Sequence, residues 1–182
     1  ASDVYKRQAG LEITQQLNSL ERELDMFFCC CGGGGLMAGT ALALSEHFRQ
    51  AKLYTVEPAG LDDTARSLSA GKRQTNDPSA RSICDAIVTP SPGLLTFPIV
   101  QSKAAGGKVV TDEEALSAMK TAWDYFKLTV EPGGAVALAA SLKQDVIASH
   151  TSDKRKTVVA ILSGGNCDQD IFAQALAAPT LI

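Results

Sequence analysis

Residues 25–35 read Asp-Met-Phe-Phe-Cys-Cys-Cys-Gly-Gly-Gly-Gly, and this stretch decides the fold. Behind Asp25, the run Met26–Cys31 is apolar without interruption, which predicts a strand buried on both faces. Four glycines then end the strand, and helical spacing with small residues near its start returns over Gly35 to Arg49. A strand, a glycine turn and a helix in that order form one unit of a parallel α/β sheet.

The rest of the chain repeats the alternation. Leu11, Ile13, Leu17 and Leu20 among Glu and Gln predict a helix over about residues 10–22. Lys52–Val56 reads as a second strand, Leu61–Ala70 as a short helix, and Gly71–Ser82 as a polar loop. Ile83–Val88 reads as a strand or short helix edge, and Pro90, Pro92, Gly93 and Pro98 punctuate a connection. Thr111 with Glu114 three residues on predicts a capping box opening a helix to about Lys127. Ala135–Ser149 reads as a helix, Thr157–Leu162 as a buried strand and Asp168–Ala177 as a final helix. The expected fold is α/β, a parallel twisted sheet with helices on both faces, in one incomplete domain.

Composition removes several classes of function. The 182 residues carry 17 Lys+Arg against 20 Asp+Glu, a net charge of −3, with no basic run to neutralise a nucleic acid. No apolar stretch approaches the roughly 18 residues that span a bilayer. Nor does the N-terminus carry an apolar secretory segment. Cys29, Cys30, Cys31, Cys84 and Cys167 form neither a CxxC pair nor an even framework, so buried free thiols in a reducing cytoplasm are expected. Asp3–Gln8, DVYKRQ, resembles what a common transposon-type sequencing adapter encodes when translated. Residues 1–8 are therefore expected to be a non-native polar tail, with native sequence from near Ala9 to residue 182.

Chemistry is expected at Gly32–Gly35. Four glycines let the backbone approach a ligand closely, and the following helix adds unpaired N–H groups and its positive dipole end. An anion cradle for phosphate results. No GK[ST] follows, which excludes a P-loop. Gly33-x-Gly35-x-x-Ala38 fits a dinucleotide fingerprint, and Glu57 stands where a ribose-binding acid would, so a dinucleotide-binding oxidoreductase stays open on this segment alone. Two later segments shift the balance, and the first is a candidate for the same ligand. Ser163-Gly164-Gly165-Asn166 is a second glycine turn at a strand's carboxyl end, with a hydroxyl suited to a ring nitrogen. Glu131-Pro132-Gly133-Gly134 holds an acid in a rigid turn before an apolar helix. His47 reads as a surface residue, His150 as part of a solvated loop, and Trp123, Tyr125 and Phe126 as core or subunit-interface packing.

The order tetraglycine-Leu36, EPGG and SGGN resembles the pyridoxal-phosphate enzymes of the tryptophan synthase β-like fold (fold type II). The resemblance is to the threonine/serine dehydratase and serine racemase branch. It covers about Gly10 to Cys167 and includes Val56-Glu57-Pro58, Asp62-Asp63 and Ile83-Cys84-Asp85 in order. It implies that Gly32, Gly33, Gly34, Gly35 and the N–H of Leu36 bind the phosphate of pyridoxal 5'-phosphate. It implies that Ser163 bonds the pyridine nitrogen and that Glu131 lines the cofactor site. It further implies a Mg²⁺ or Ca²⁺ ion on Glu57, the Leu61 carbonyl and Asp63, a donor set that suits hard cations.

The implied activity is α,β-elimination of water from L-threonine, L-serine or a related hydroxy amino acid, giving a 2-oxo acid and ammonia. Amino-acid racemisation is the alternative within the family, and a non-catalytic cofactor carrier is another. The family's Schiff-base lysine belongs to a segment upstream of this chain, so no catalytic residue is assigned here. None of Lys52, Lys72, Lys103 and Lys108 sits in its motif. The chain is accordingly expected to be the C-terminal part of a cytoplasmic homo-oligomeric enzyme. Alone, it is expected to be inactive and poorly stable. The Cys29–Cys31 triplet replaces the apolar residues usual before the glycines.

Overall fold

In a computed structural model, residues 2–148 and 156–181 are described. Four parallel strands form one sheet in the order β3-β2-β1-β4: β1 Met26–Cys30, β2 Lys52–Pro58, β3 Gly106–Val110 and β4 Val158–Ala160. The helices are α1 Ser2–Ser19, α2 Gly35–His47, α3 Asp63–Ala70, α4 Phe97–Lys103, α5 Asp112–Thr121, α6 Pro132–Ser141, α7 Gln144–Ala148 and α8 Gln169–Ala177. The sheet is parallel and covered on both faces, as the apolar run of β1 implies.

Strand alternation divides the core in two. Phe28, Cys30 and Val56 face Met119 of α5 and Val136 of α6. Phe27, Cys29 and Cys31 face Met37 and Leu44 of α2, Val100 of α4 and Leu17 of α1. Phe28 and Tyr54, partners in the β1–β2 register, stack with ring centroids 5.2 Å apart. Helix α6 is buried all round, which its sequence PGGAVALAAS permits because no side chain is long or charged.

Several boundaries differ from the expectation, each for a local reason. Neither α4 nor β3 is predicted. The two glycines of Gly106-Gly107-Lys108 disfavour a strand by propensity, yet an edge strand accepts them because, among the described residues, only β2 pairs with it. The strand expected over Thr157–Leu162 is three residues long and only half buried, since among the described residues it lies at the other edge with β1 as its one neighbour. Ile83–Val88 contains a 3₁₀ turn, Asp85–Ile87. The helix expected over Ala135–Ser149 divides into α6 and α7; Ser149 and His150 lie outside the described residues. Trp123, Tyr125 and Phe126 occupy a π-helical turn, Ala122–Phe126, and are 38%, 57% and 53% exposed, so they are not core. Trp123 meets Phe172 of α8 edge-on.

The Thr111–Glu114 capping box is present: the Thr111 hydroxyl accepts from Glu114 N–H and the Glu114 carboxylate accepts from Thr111 N–H. All five cysteines are free; four are buried, while Cys167 is partly exposed. Residues 2–8, expected as a polar tail, continue into α1, and the Lys6 backbone packs against Gly39 of α2. Helical packing and an adapter origin for DVYKRQ are independent matters. Among the described residues no helix is long and apolar enough to cross a membrane.

Candidate active site

The carboxyl ends of β1 and β4 deliver their following turns to one cavity of about 360 Å³. Cys30, Gly32, Gly33, Gly34, Gly35, Leu36, Glu131 and Ser163 line it, joined by Lys6, Ala86, Ile87 and Thr96. Every residue expected to hold the cofactor therefore shares one wall. In open parallel sheets ligands gather at these carboxyl ends. A smaller cavity of about 230 Å³ lies beside Met26 and Lys52, at the strands' opposite ends, and holds none of these residues.

The glycines form a cradle rather than a loose loop. Gly34 has φ +81°, a left-handed conformation open to glycine at little cost, and it turns the chain into α2. A Cβ on Gly33 would meet no atom within 4 Å, so that face of the turn is open. The Gly33 carbonyl accepts the Thr96 hydroxyl at 2.5 Å and the Gly93 N–H at 3.2 Å, which fixes the turn. Arg73 in turn donates to the Pro92 carbonyl at 2.6 Å and to the Ser91 hydroxyl at 2.7 Å. The N–H groups of the first turn of α2 have no intrahelical acceptors and carry the positive end of the helix dipole. A dianionic phosphate fits that cradle.

EPGG and SGGN interlock. Glu131 precedes α6 and donates its N–H to the Gly164 carbonyl at 3.2 Å. A Cβ on Gly134 would overlap the Ser163 carbonyl oxygen, so only glycine lets α6 approach this closely. Ser163 is thereby held with its hydroxyl 3.0 Å from the Cys30 thiol. The Cys30 thiol is lowered to about 7, first by Cys29, whose Sγ donates to the Cys30 carbonyl, and then by Ser163, against burial and the Glu131 charge. Cys29 moves the other way and stays protonated.

Of the expected metal ligands, Glu57 near the carboxyl end of β2 and Asp63 at the start of α3 lie near one another, and Leu61 is buried. Glu57, fully buried, accepts the N–H groups of Thr64 at 2.8 Å and Ala65 at 2.7 Å, capping α3 with a distant acid. Burial raises its carboxyl to about 7, with neighbouring Asp63 adding to the rise. Asp63 accepts from the Asn76 amide at 2.5 Å through Oδ1, while its buried Oδ2 has no partner. An orphaned carboxylate oxygen beside a second carboxylate fits a hard cation. Among the described residues, though, no group of three or more His, Cys, Asp and Glu gathers as a metal site.

Five cavity residues are missing from the sequence reading of the site: Cys30, Thr96, Lys6, Ala86 and Ile87. Cys30 reads as a buried thiol because nothing local tells a strand's last residue that it borders a ligand. Thr96 acts across 63 positions of sequence, and no motif signals that. Lys6, in the adapter-like segment, reaches Gly35 through α1.

The profile of the pyridoxal-phosphate dependent enzymes matches residues 3–164. Serine racemase of Dictyostelium discoideum is 37% identical over 171 residues, 92% of this chain and 50% of that protein. L-threonine ammonia-lyase of Geobacter sulfurreducens is 35% identical over 159 residues, 87% of this chain and 37% of that protein. Among solved structures, a threonine deaminase superposes with a TM-score of 0.80 at 34% identity, covering 90% of this chain and 57% of that one. The chain thus spans about half the length of such relatives. It belongs to the pyridoxal-phosphate dependent enzymes of fold type II, the family of the serine racemases and threonine ammonia-lyases.

Proposed function

We propose that this chain is the C-terminal part of an enzyme that eliminates water from L-threonine, L-serine or a related hydroxy amino acid, releasing a 2-oxo acid and ammonia. The observation that carries the reading is the meeting of the tetraglycine cradle, Glu131 and Ser163 in one cavity. Pyridoxal phosphate, when bound, supplies an electron sink for charge developing at the amino acid's α-carbon. The chain's own residues bind and orient it. Gly32–Gly35 and the Leu36 N–H hold the phosphate, and Ser163 meets the pyridine nitrogen.

Ser163, a neutral hydroxyl rather than an aspartate, would leave that nitrogen largely unprotonated, which suits β-elimination. Glu57, the Leu61 carbonyl and Asp63 would hold Mg²⁺ or Ca²⁺ at the carboxyl end of β2. The lysine that carries the cofactor belongs to the preceding segment of the full-length protein, which assembles as a homo-oligomer in the cytoplasm. Free thiols throughout the described chain suit that compartment.

Serine racemisation is the second reading, favoured by the identity to serine racemases. One experiment separates them. Full-length protein is incubated with pyridoxal phosphate and L-serine or L-threonine, and products are followed by NMR and chiral chromatography. Formation of 2-oxo acid and ammonia supports the lyase, and D-serine as main product replaces it with the racemase. Binding of a nicotinamide dinucleotide, without a visible pyridoxal-phosphate band, overturns both.

A further inference from the structure

Beside the family's expected residues, this cavity holds a thiol with no assigned role. Cys30 ends β1, where it pairs with Val56, and its Sγ lies 3.0 Å from Ser163 Oγ with either group able to donate. Both side chains border the cavity that contains the tetraglycine cradle and Glu131. The contact joins positions 133 residues apart, so it depends on the parallel pairing of β1 with β4.

We propose that Cys30 is a positioning residue that sets which way the Ser163 hydroxyl directs its proton, and so which protonation state of a bound pyridine nitrogen the site accepts. This rests on the reading that Ser163 faces that nitrogen. A serine hydroxyl has one proton and two lone pairs. While Cys30 is a thiol, it donates S–H to Ser163 Oγ and leaves the serine proton for an unprotonated ring nitrogen. As a thiolate, Cys30 only accepts. It then accepts a hydrogen bond from the serine O–H, and Ser163 presents lone pairs, which suit only a protonated nitrogen.

The groups around Cys30 permit the change. Cys29 and Cys31 flank it on β1, Glu131 approaches from α6, Cys84 from the segment before the 3₁₀ turn, and Lys6 lines the same cavity from α1. Cys31 and Cys84 are both raised by burial and stay protonated at neutral pH. The Cys30 thiol, lowered to about 7, is the one thiol of this group that ionises near neutrality.

The test uses full-length protein and pyridoxal phosphate, with the dissociation constant read by fluorescence from pH 6 to 9. In the wild type, affinity falls by about tenfold more than in Cys30→Ser across that range. The serine variant keeps a hydroxyl against Ser163 but cannot ionise, and the difference between the curves cancels the cofactor's own titration. Cys30→Ala loses the pH-dependent step and binds several-fold more weakly throughout. Superimposable wild-type and Cys30→Ser curves overturn the inference while leaving the cofactor reading intact; wild type that binds no pyridoxal phosphate overturns that reading instead. A second readout needs no variant. Saturating cofactor slows iodoacetamide modification of Cys30, followed by peptide mass spectrometry, at least tenfold, and an unchanged rate counts against the proposal.

Discussion

The turn after β1 and the turn after β2 both leave a strand's carboxyl end, yet they are built in opposite ways. Gly32–Gly35 is braced by Thr96 and Gly93, while at Gly33 its face stays open. Glu57 and Asp63 instead close on their own protein: three of four carboxylate oxygens accept bonds from Thr64, Ala65 and Asn76. The first turn is shaped for a ligand that supplies its own charge. The second is nearly complete without one, and only Asp63 Oδ2 asks for a partner. Ligand removal should therefore empty the first site without disturbing the fold, and should loosen α3 at the second.

The largest effect expected is at the joint that supports the open turn. A Cβ at Gly134 overlaps the Ser163 carbonyl, a backbone atom that no side-chain rotation can move aside. Gly134→Ala should destabilise the full-length protein by about 3 kcal/mol or more. A urea midpoint equal to wild type would show that α6 and the SGGN turn have room to separate.

Next in size is the closed turn. Mg²⁺ or Ca²⁺ at a hundredfold excess over its dissociation constant should stabilise the protein by about 2.7 kcal/mol. Asp63→Asn, which removes the orphaned charge, should lose most of that gain. Identical melting curves in chelator and in cation would mean that the acids only cap α3.

Gly33 gives the cleaner contrast. Its backbone is not in the left-handed region, and an added Cβ meets nothing within 4 Å. Gly33→Ala should leave stability within about 0.5 kcal/mol. Cofactor affinity should nonetheless fall about tenfold, or 1.4 kcal/mol, because the methyl group enters the cradle. An unchanged dissociation constant would move the phosphate elsewhere along the loop.

Much of this was legible in residue order, for reasons that are local. Met26–Cys31 is apolar because β1 is covered on both faces, and Thr111–Glu114 is a cap whose two bonds span three residues. Thr157–Leu162 misled because apolarity reports a buried environment, whereas strand length is set by the neighbouring strand. Gly106-Gly107 hid β3 because pairing along β2, not propensity, makes it extended. The cavity was legible as three motifs but not as a wall. Cys30 and Thr96 join it through contacts across 133 and 63 positions, and neither residue type announces such a partner.

Thr96 is also where the smallest effect is expected, and the one that tests the brace itself. Thr96→Val keeps the shape and removes one donor to the Gly33 carbonyl. A typical hydrogen bond contributes about 1 kcal/mol net, and here the Gly93 N–H at 3.2 Å still serves the same oxygen. Water also reaches this exposed bond, which reduces the loss further. Melting should therefore hardly change, while cofactor affinity drops about two- to fivefold as the loop samples geometries that no longer aim its N–H groups inward. Equal affinity in both proteins would assign the cradle's order to Gly34 and the α2 terminus alone. A large stability loss would instead make Thr96 part of the fold rather than of the site, and the contrast between an open, braced turn and a closed one would have to be redrawn.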